Sequence, residues 1–213
     1  LRTRKRTRIL EEAMAKQEQR LVKRAKEYWE RRELSALENM QKEEGAAEIP
    51  EVLYFVGLAL NALNKRRDAI KCWRKATELD PNNETAIRTL AYELMEQAPV
   101  DAAELFYRLV GSERANADDF TCLGELFIKQ DRLKEAHRCL DRARRLEPEN
   151  SLALLALATL YAQVRATSDA LAFLQKVAAT EEIDLSDLAS DPEFECLWDD
   201  PKFEKIVSPN GRK

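Results

Sequence analysis

One histidine, five glycines and four cysteines are spread over 213 residues, and each scarcity removes a class of chemistry. The single imidazole, His137, has no cysteine or carboxylate set placed beside it in sequence to make it a metal ligand or a base, so it reads as structural. The glycines form no phosphate-cradling loop and no nucleophile elbow. Cys72, Cys122, Cys139 and Cys196 lack metal-ligand spacing and read as packing residues of a reducing compartment. No apolar run approaches the roughly 18 residues of a membrane span. The net charge of −4 offers no global basic field for nucleic acid. The expectation is a protein without catalytic residues, metal or cofactor.

What is abundant is charge, at 35%, beside 45% apolar residues, the profile of a helix-rich chain. The apolar residues recur with a long period. Gly57 is followed twelve residues later by Ala69, and Ala69 twelve later by Pro81; Gly124, Ala136 and Pro148 repeat both steps. Ala91 with Ala103, and Ala158 with Ala170, repeat the first step. From Gly57 the steps to Ala91, Gly124 and Ala158 are 34, 33 and 34 residues. Small residues at these places let paired helices approach closely. A large apolar residue then follows at Trp73, Tyr107, Leu140 and Leu174, and a smaller one at Ala76, Val110, Ala143 and Val177. Pro81 and Pro148 stop the second helix of a pair, because proline lacks the amide donor. A fixed period of this length marks stacked helical hairpins.

Period, small residues and proline together resemble the tetratricopeptide-repeat family over residues 17–181. The resemblance implies an all-α, right-handed superhelical solenoid of about five helix pairs, closed by a short helical C-terminal cap. Residues 1–16 read as a basic N-terminal helix or tail and 17–49 as a degenerate first repeat, in which Arg24 and Glu43 replace small residues and Glu48 replaces proline. Its first helix is expected to run back to about Thr7. Residues 50–83, 84–116, 117–150 and 151–181 read as four stronger repeats, with the second helix of 84–116 stopping at Val110. Residues 182–207 read as an acidic helical cap, with an acidic docking peptide as the rival reading, and 208–213 as a disordered tail. From Glu181 to Val207, ten carboxylates face only Lys202 and Lys205. Asp191-Pro192 and Asp200-Pro201 each pair an N-cap with proline at the first helical position. Phe194, Leu197 and Trp198 would be the apolar face of one short helix, and Phe203, Ile206 and Val207 that of the next.

Arg2, Arg4, Lys5, Arg6 and Arg8 make the N-terminus strongly basic. Three readings stand: a frayed helix end, the cytoplasmic flank of a membrane anchor, or a contact for acidic lipid or nucleic acid. The lack of interleaved aromatics counts against nucleic acid. The start at Leu1 rather than methionine suggests an excerpt and leaves room for an anchor or signal upstream.

In the family, the first helices of successive pairs line a concave groove. The resemblance places Tyr54, Leu58, Asn61, Arg88, Tyr92, Met95, Glu125, Lys129, Leu152 and Leu155 on that stripe, with Thr121 and Ile128 beside them. Some relatives grip a partner's terminal carboxylate with lysine and asparagine. Here Tyr54 and Leu58 occupy the first such places and Asp118 a later one, which disfavours that grip. The expected partner is a protein segment, either an extended peptide or an amphipathic helix, with Arg88 offered to a partner carboxylate. Residues 151–161, SLALLALATLY, are apolar nearly all round, so either the C-terminal segment or a partner must cover them. The expected function is a cytoplasmic protein-interaction scaffold, adaptor or assembly factor. The alternative is a membrane-tethered assembly subunit or a secretion-type chaperone.

Overall fold

A computed structural model describes residues 2–208, with side chains from Glu11 onward. The basic side chains from Arg2 to Arg8 and the tail beyond Ser208 lie outside the described residues. The chain divides into two compact units at Gln97–Ala98. No strand occurs among the described residues.

The first unit contains α1 (Arg2–Glu30), α2 (Leu34–Met40), α3 (Pro50–Ala62), α4 (Arg66–Leu79) and α5 (Glu84–Leu94). The first helix thus begins before Thr7. It packs on α2 and α3 through buried Leu21 and Ala25, while residues 11–20 are exposed along its length. The two unusual residues of this first pair answer each other: Arg24 donates to the Glu43 carboxylate. Lys75 on α4 similarly forms an ion pair with Glu48, 2.8 Å away. The helices α3 and α4 meet where Gly57 faces the indole of fully buried Trp73. The Trp73 Nε1–H donates to the Tyr54 carbonyl at 3.2 Å, fixing the ring. Asn83 caps α5 by accepting from the Ala86 amide at 3.1 Å, which satisfies a donor the helix leaves unpaired.

Four of the turns between paired helices share one device. Arg32, Asn64, Asp131 and Arg165 have φ of +58°, +59°, +56° and +57°. In each case the next amide reaches back to a carbonyl five residues earlier: Glu33 to Tyr28, Lys65 to Leu60, Arg132 to Phe127 and Ala166 to Tyr161, at 2.8–2.9 Å. A left-handed residue closing the helix end in this way satisfies otherwise orphaned carbonyls and sets the angle of the hairpin.

The second unit contains α6 (Pro99–Val110), α7 (Ala117–Lys129), α8 (Leu133–Leu146), α9 (Ser151–Gln163) and α10 (Thr167–Thr180), then two 3₁₀ turns (Ser186–Ser190 and Pro192–Leu197) and α11 (Pro201–Val207). A reciprocal cap opens α7: Asn116 accepts from the Asp119 amide, and Asp119 accepts from the Asn116 amide. Leu140 on α8 faces Gly124 on α7. Helix α6 ends at Val110, where Gly111 begins the turn.

The sequence period misplaces the buried face of α6. Tyr107 is 67% exposed, whereas its neighbour Phe106 is fully buried. Ala102, Phe106 and Leu109 form the core face, one residue before Ala103, Tyr107 and Val110. The cause is the link preceding α6. It has no left-handed residue; instead Ala98 has φ −145° and ψ 67°, and Pro99 starts the helix directly. Phe106→Ala should therefore cost about 3–5 kcal/mol, as burial predicts. Tyr107→Ala should change stability by roughly 0.5 kcal/mol or less. Chemical denaturation of both variants checks the register.

The C-terminal segment is a cap with its own core. Leu185, Phe194, Leu197, Phe203 and Val207 join Leu154, Ala158, Leu171, Leu174 and Val177 of α9 and α10 in one buried cluster. Asp191 and Asp200 each accept an amide hydrogen bond, from Glu193 at 2.9 Å and Lys202 at 2.7 Å, as the Asp-Pro pairs require. Two details differ from expectation. The Asp191-Pro192 helix is a 3₁₀ turn, Pro192–Leu197. Trp198 is exposed rather than part of its apolar face.

Candidate functional site

In the first unit the stripe runs along α3 and α5. Tyr54, Leu58 and Asn61 are half-buried on α3. The Tyr54 ring meets Phe55 edge-on, with centroids 5.4 Å apart. On α5, Arg88 and Met95 are half-buried and Tyr92 is 40% exposed. Glu93 locks the two helices together: its Oε1 accepts from Asn61 Nδ2 at 3.2 Å, and its Oε2 accepts from Arg66 Nε at 2.8 Å. Asn61 therefore spaces α3 from α5 as well as standing on the stripe. The same α3–α5 pair brings Tyr54, Leu58, Tyr92 and Met95 onto first helices held at a fixed separation.

In the second unit the stripe runs along α7 and α9. Leu152 is 53% exposed and Leu155, three residues on, is half-buried. Thr121 and Ile128 do not reach the surface as the spacing suggested. Both are buried, and the Thr121 hydroxyl donates to the Ala117 carbonyl at 2.9 Å. Ile128 nevertheless lines a cleft between α7, α9 and the C-terminal segment.

A cleft of about 230 Å³ opens between these two helices and the C-terminal segment. One wall is Glu125, Ile128 and Lys129 of α7, the floor is Leu155, Ala156 and Thr159 of α9, and the far wall is Leu188, Asp191, Glu193 and Phe194. Sequence reasoning read the far wall as a cap, with an acidic docking peptide as the rival reading. The available signal was buried Phe194 set between two carboxylates in Glu193-Phe194-Glu195. The cap also touches α9 through Cys196, whose Sγ–H donates to the Ala162 carbonyl at 3.3 Å. It covers the Leu155 side of α9 and leaves Leu152 exposed, so the covering of this apolar helix is shared between the chain's own tail and open surface.

The electrostatics of the cleft follow from its burial. Desolvation raises the Glu125 carboxyl above its usual range, and the charge of Glu193 adds to this while Lys129 opposes it. Glu193 is raised for the same leading reason, with Asp191 adding and Lys129 opposing. Elsewhere, burial pushes the Cys72 and Cys139 thiols up to about 11, which keeps them protonated and unreactive. His137 lies on α8 with its Nε2 3.2 Å from the Tyr161 hydroxyl of α9. Among the described residues no group of three or more His, Cys, Asp or Glu side chains is gathered to hold a metal ion, and no helix is long and apolar enough to cross a membrane.

No protein-family model matches the chain, and no curated protein matches it. Solved structures do. The MamA RS-1 ArsTM double mutant is 22% identical, with a TM-score of 0.65 over 83% of this chain and 97% of its own. MamA 41-end from Desulfovibrio magneticus RS-1 is 20% identical, with a TM-score of 0.66 over 76% of this chain and 98% of its own. YrrB, described as a TPR protein with an unusual peptide-binding site, is 20% identical, with a TM-score of 0.60 over 80% of this chain and 92% of its own. These likenesses establish the fold: the chain is an all-α solenoid of the tetratricopeptide-repeat type.

Proposed function

We propose that this chain is a protein-interaction scaffold whose first-of-pair helices hold a segment of a partner protein, either an extended peptide or an amphipathic helix. The observation that carries the reading is the α3–α5 stripe. Tyr92 stands 40% exposed beside half-buried Tyr54, Leu58 and Met95, on helices that the Asn61–Glu93 hydrogen bond keeps in register. Rigid, partly exposed aromatic and aliphatic groups are the side chains from which binding hot spots are built. The likeness to YrrB, whose description includes a peptide-binding site, supports the same reading by analogy of fold. A reducing, cytoplasmic setting fits the four free cysteines. Catalysis forms no part of the proposal.

The test uses random linear peptides displayed on phage and enriched on the full chain. Tyr54→Ala combined with Tyr92→Ala should weaken the enriched peptides roughly tenfold or more, since hot-spot truncations cost about 2 kcal/mol. Thermal unfolding should shift little, because both rings are partly solvated. Unchanged affinity in a folded double variant would remove the stripe as the binding face.

A further inference from the structure

We propose that the cleft between α7, α9 and the C-terminal segment is a specificity pocket for one lysine or arginine side chain of the bound partner. This rests on the peptide-binding reading above and adds which residue the partner must carry. Size is the first argument. About 230 Å³ lies below the ~300–1,000 Å³ of small-molecule sites, so the cleft suits a single side chain. Lining chemistry is the second. Ile128, Leu155, Ala156, Leu188 and Phe194 offer an apolar sleeve for a methylene stem. Glu125, Asp191 and Glu193 offer carboxylates to its charged head, against the single cation Lys129. A long basic side chain is the one natural side-chain type with both halves of that complement. An acidic side chain would meet three like charges.

The charge balance inside the cleft points the same way. Glu125 and Glu193 are on different elements, and the charge of Glu193 adds to the upward shift of Glu125. An arriving ammonium or guanidinium would relieve that repulsion and replace lost hydration with charge-assisted hydrogen bonds. Leu152 extends the site. It lies one turn before Leu155 on α9 and is exposed, so an apolar residue flanking the basic one has a surface to meet. The partner is thus a segment in which lysine or arginine neighbours an apolar residue.

Acidification should release it. The charged groups around Glu125 and Glu193 are Lys129 from α7, Asp191 and Glu195 from the C-terminal segment, and Arg165 after the end of α9, which lines the adjoining cleft with Glu193; α9 itself contributes only Leu155, Ala156 and Thr159 to the lining. Because both glutamates are raised from the ordinary value of 4.5, they take up protons at a higher pH than a glutamate in water does. Each proton removes a negative charge from the pocket. Affinity for a basic side chain should therefore fall as pH is lowered, beginning above 4.5.

The deciding experiment compares the full chain with its Glu125→Gln/Glu193→Gln variant, using peptides enriched from the same displayed library. Neutralising raised carboxylates relieves a folding penalty, so the variant should melt no lower than the parent at neutral pH. The enriched peptides should carry lysine or arginine beside an apolar residue. Replacing that basic residue with methionine should weaken binding at least tenfold. The glutamine variant should show the same loss with the original peptide, and combining the two changes should add little further loss, as a direct contact requires. Equal binding by the methionine peptide, or by the glutamine variant, would overturn the pocket. If such peptides still lost affinity to Tyr54→Ala/Tyr92→Ala, the scaffold reading would stand without it. Enrichment of no peptide at all would sink both.

Discussion

A chain ended at Thr180 is expected to self-associate and to melt far below the full-length protein. The truncation deletes Leu185, Phe194, Leu197, Phe203 and Val207, all buried against α9 and α10. Each such side chain contributes about 1.5–3 kcal/mol by leaving water. Together they rival the ~5–15 kcal/mol that holds an ordinary domain folded. The faces left behind, with Leu154, Leu171, Leu174 and Val177, would form one contiguous apolar patch, and patches of this kind drive association. The cut also removes the Glu182 carboxylate from the Ser151 hydroxyl and the Cys196 thiol from the Ala162 carbonyl. Light scattering and thermal melting measure the outcome. A monodisperse truncation with an unchanged melting temperature would show that the last residues are not a cap.

Gly57→Ala is the second large effect, and its sign is opposite to what helix propensity implies. In an exposed helix interior this change stabilises by about 1 kcal/mol. Here an added Cβ would stand 2.7 Å from Cε2 and 2.8 Å from Cδ1 of Trp73, and closer still to Nε1. The indole is rigid, fully buried and fastened through its hydrogen bond to the Tyr54 carbonyl, so it has nowhere to rotate. Overpacking of this kind costs roughly 1–3 kcal/mol, and loss of the indole bond adds about 1 kcal/mol. A net destabilisation of about 2 kcal/mol or more should appear in denaturant titration. Gly111→Ala is the control: its Cβ would meet nothing nearer than the Arg108 carbonyl oxygen at 3.4 Å, and its φ of −82° is open to any residue. Equal effects of the two changes would contradict the close approach of α3 and α4.

The repeat was legible in the sequence because close helix packing dictates residue size. Gly57 must be small under Trp73 and Gly124 under Leu140, and those constraints recur at the length of a hairpin. The register of α6 was not legible. Ala102 and Ala103 are both small, Phe106 and Tyr107 are both aromatic, and Leu109 and Val110 are both aliphatic, so two adjacent faces satisfy the pattern equally. The choice between them was made by a link that lacks the left-handed residue of the other turns. For the site, the resemblance set Glu125, Lys129, Leu152 and Leu155 on one stripe; Glu125, Lys129 and Leu155 line the cleft, and Leu152 stands exposed beside it. Helical spacing could not find Asp191 and Glu193 beside them, because only the fold of the tail onto α9 brings those carboxylates to the cleft. Thr121, set beside the stripe, is buried with its hydroxyl bonded to the Ala117 carbonyl, whereas Ile128 is buried yet lines the cleft.

The central claim is that the first helix of each pair presents the surface that holds a partner. Amide chemical-shift mapping of the full chain, titrated with an enriched peptide, addresses it most directly. The account predicts shifts gathered on α3 and α5, on α7 and α9, or on both sets. Shifts confined to α4, α6, α8 and α10 would contradict it.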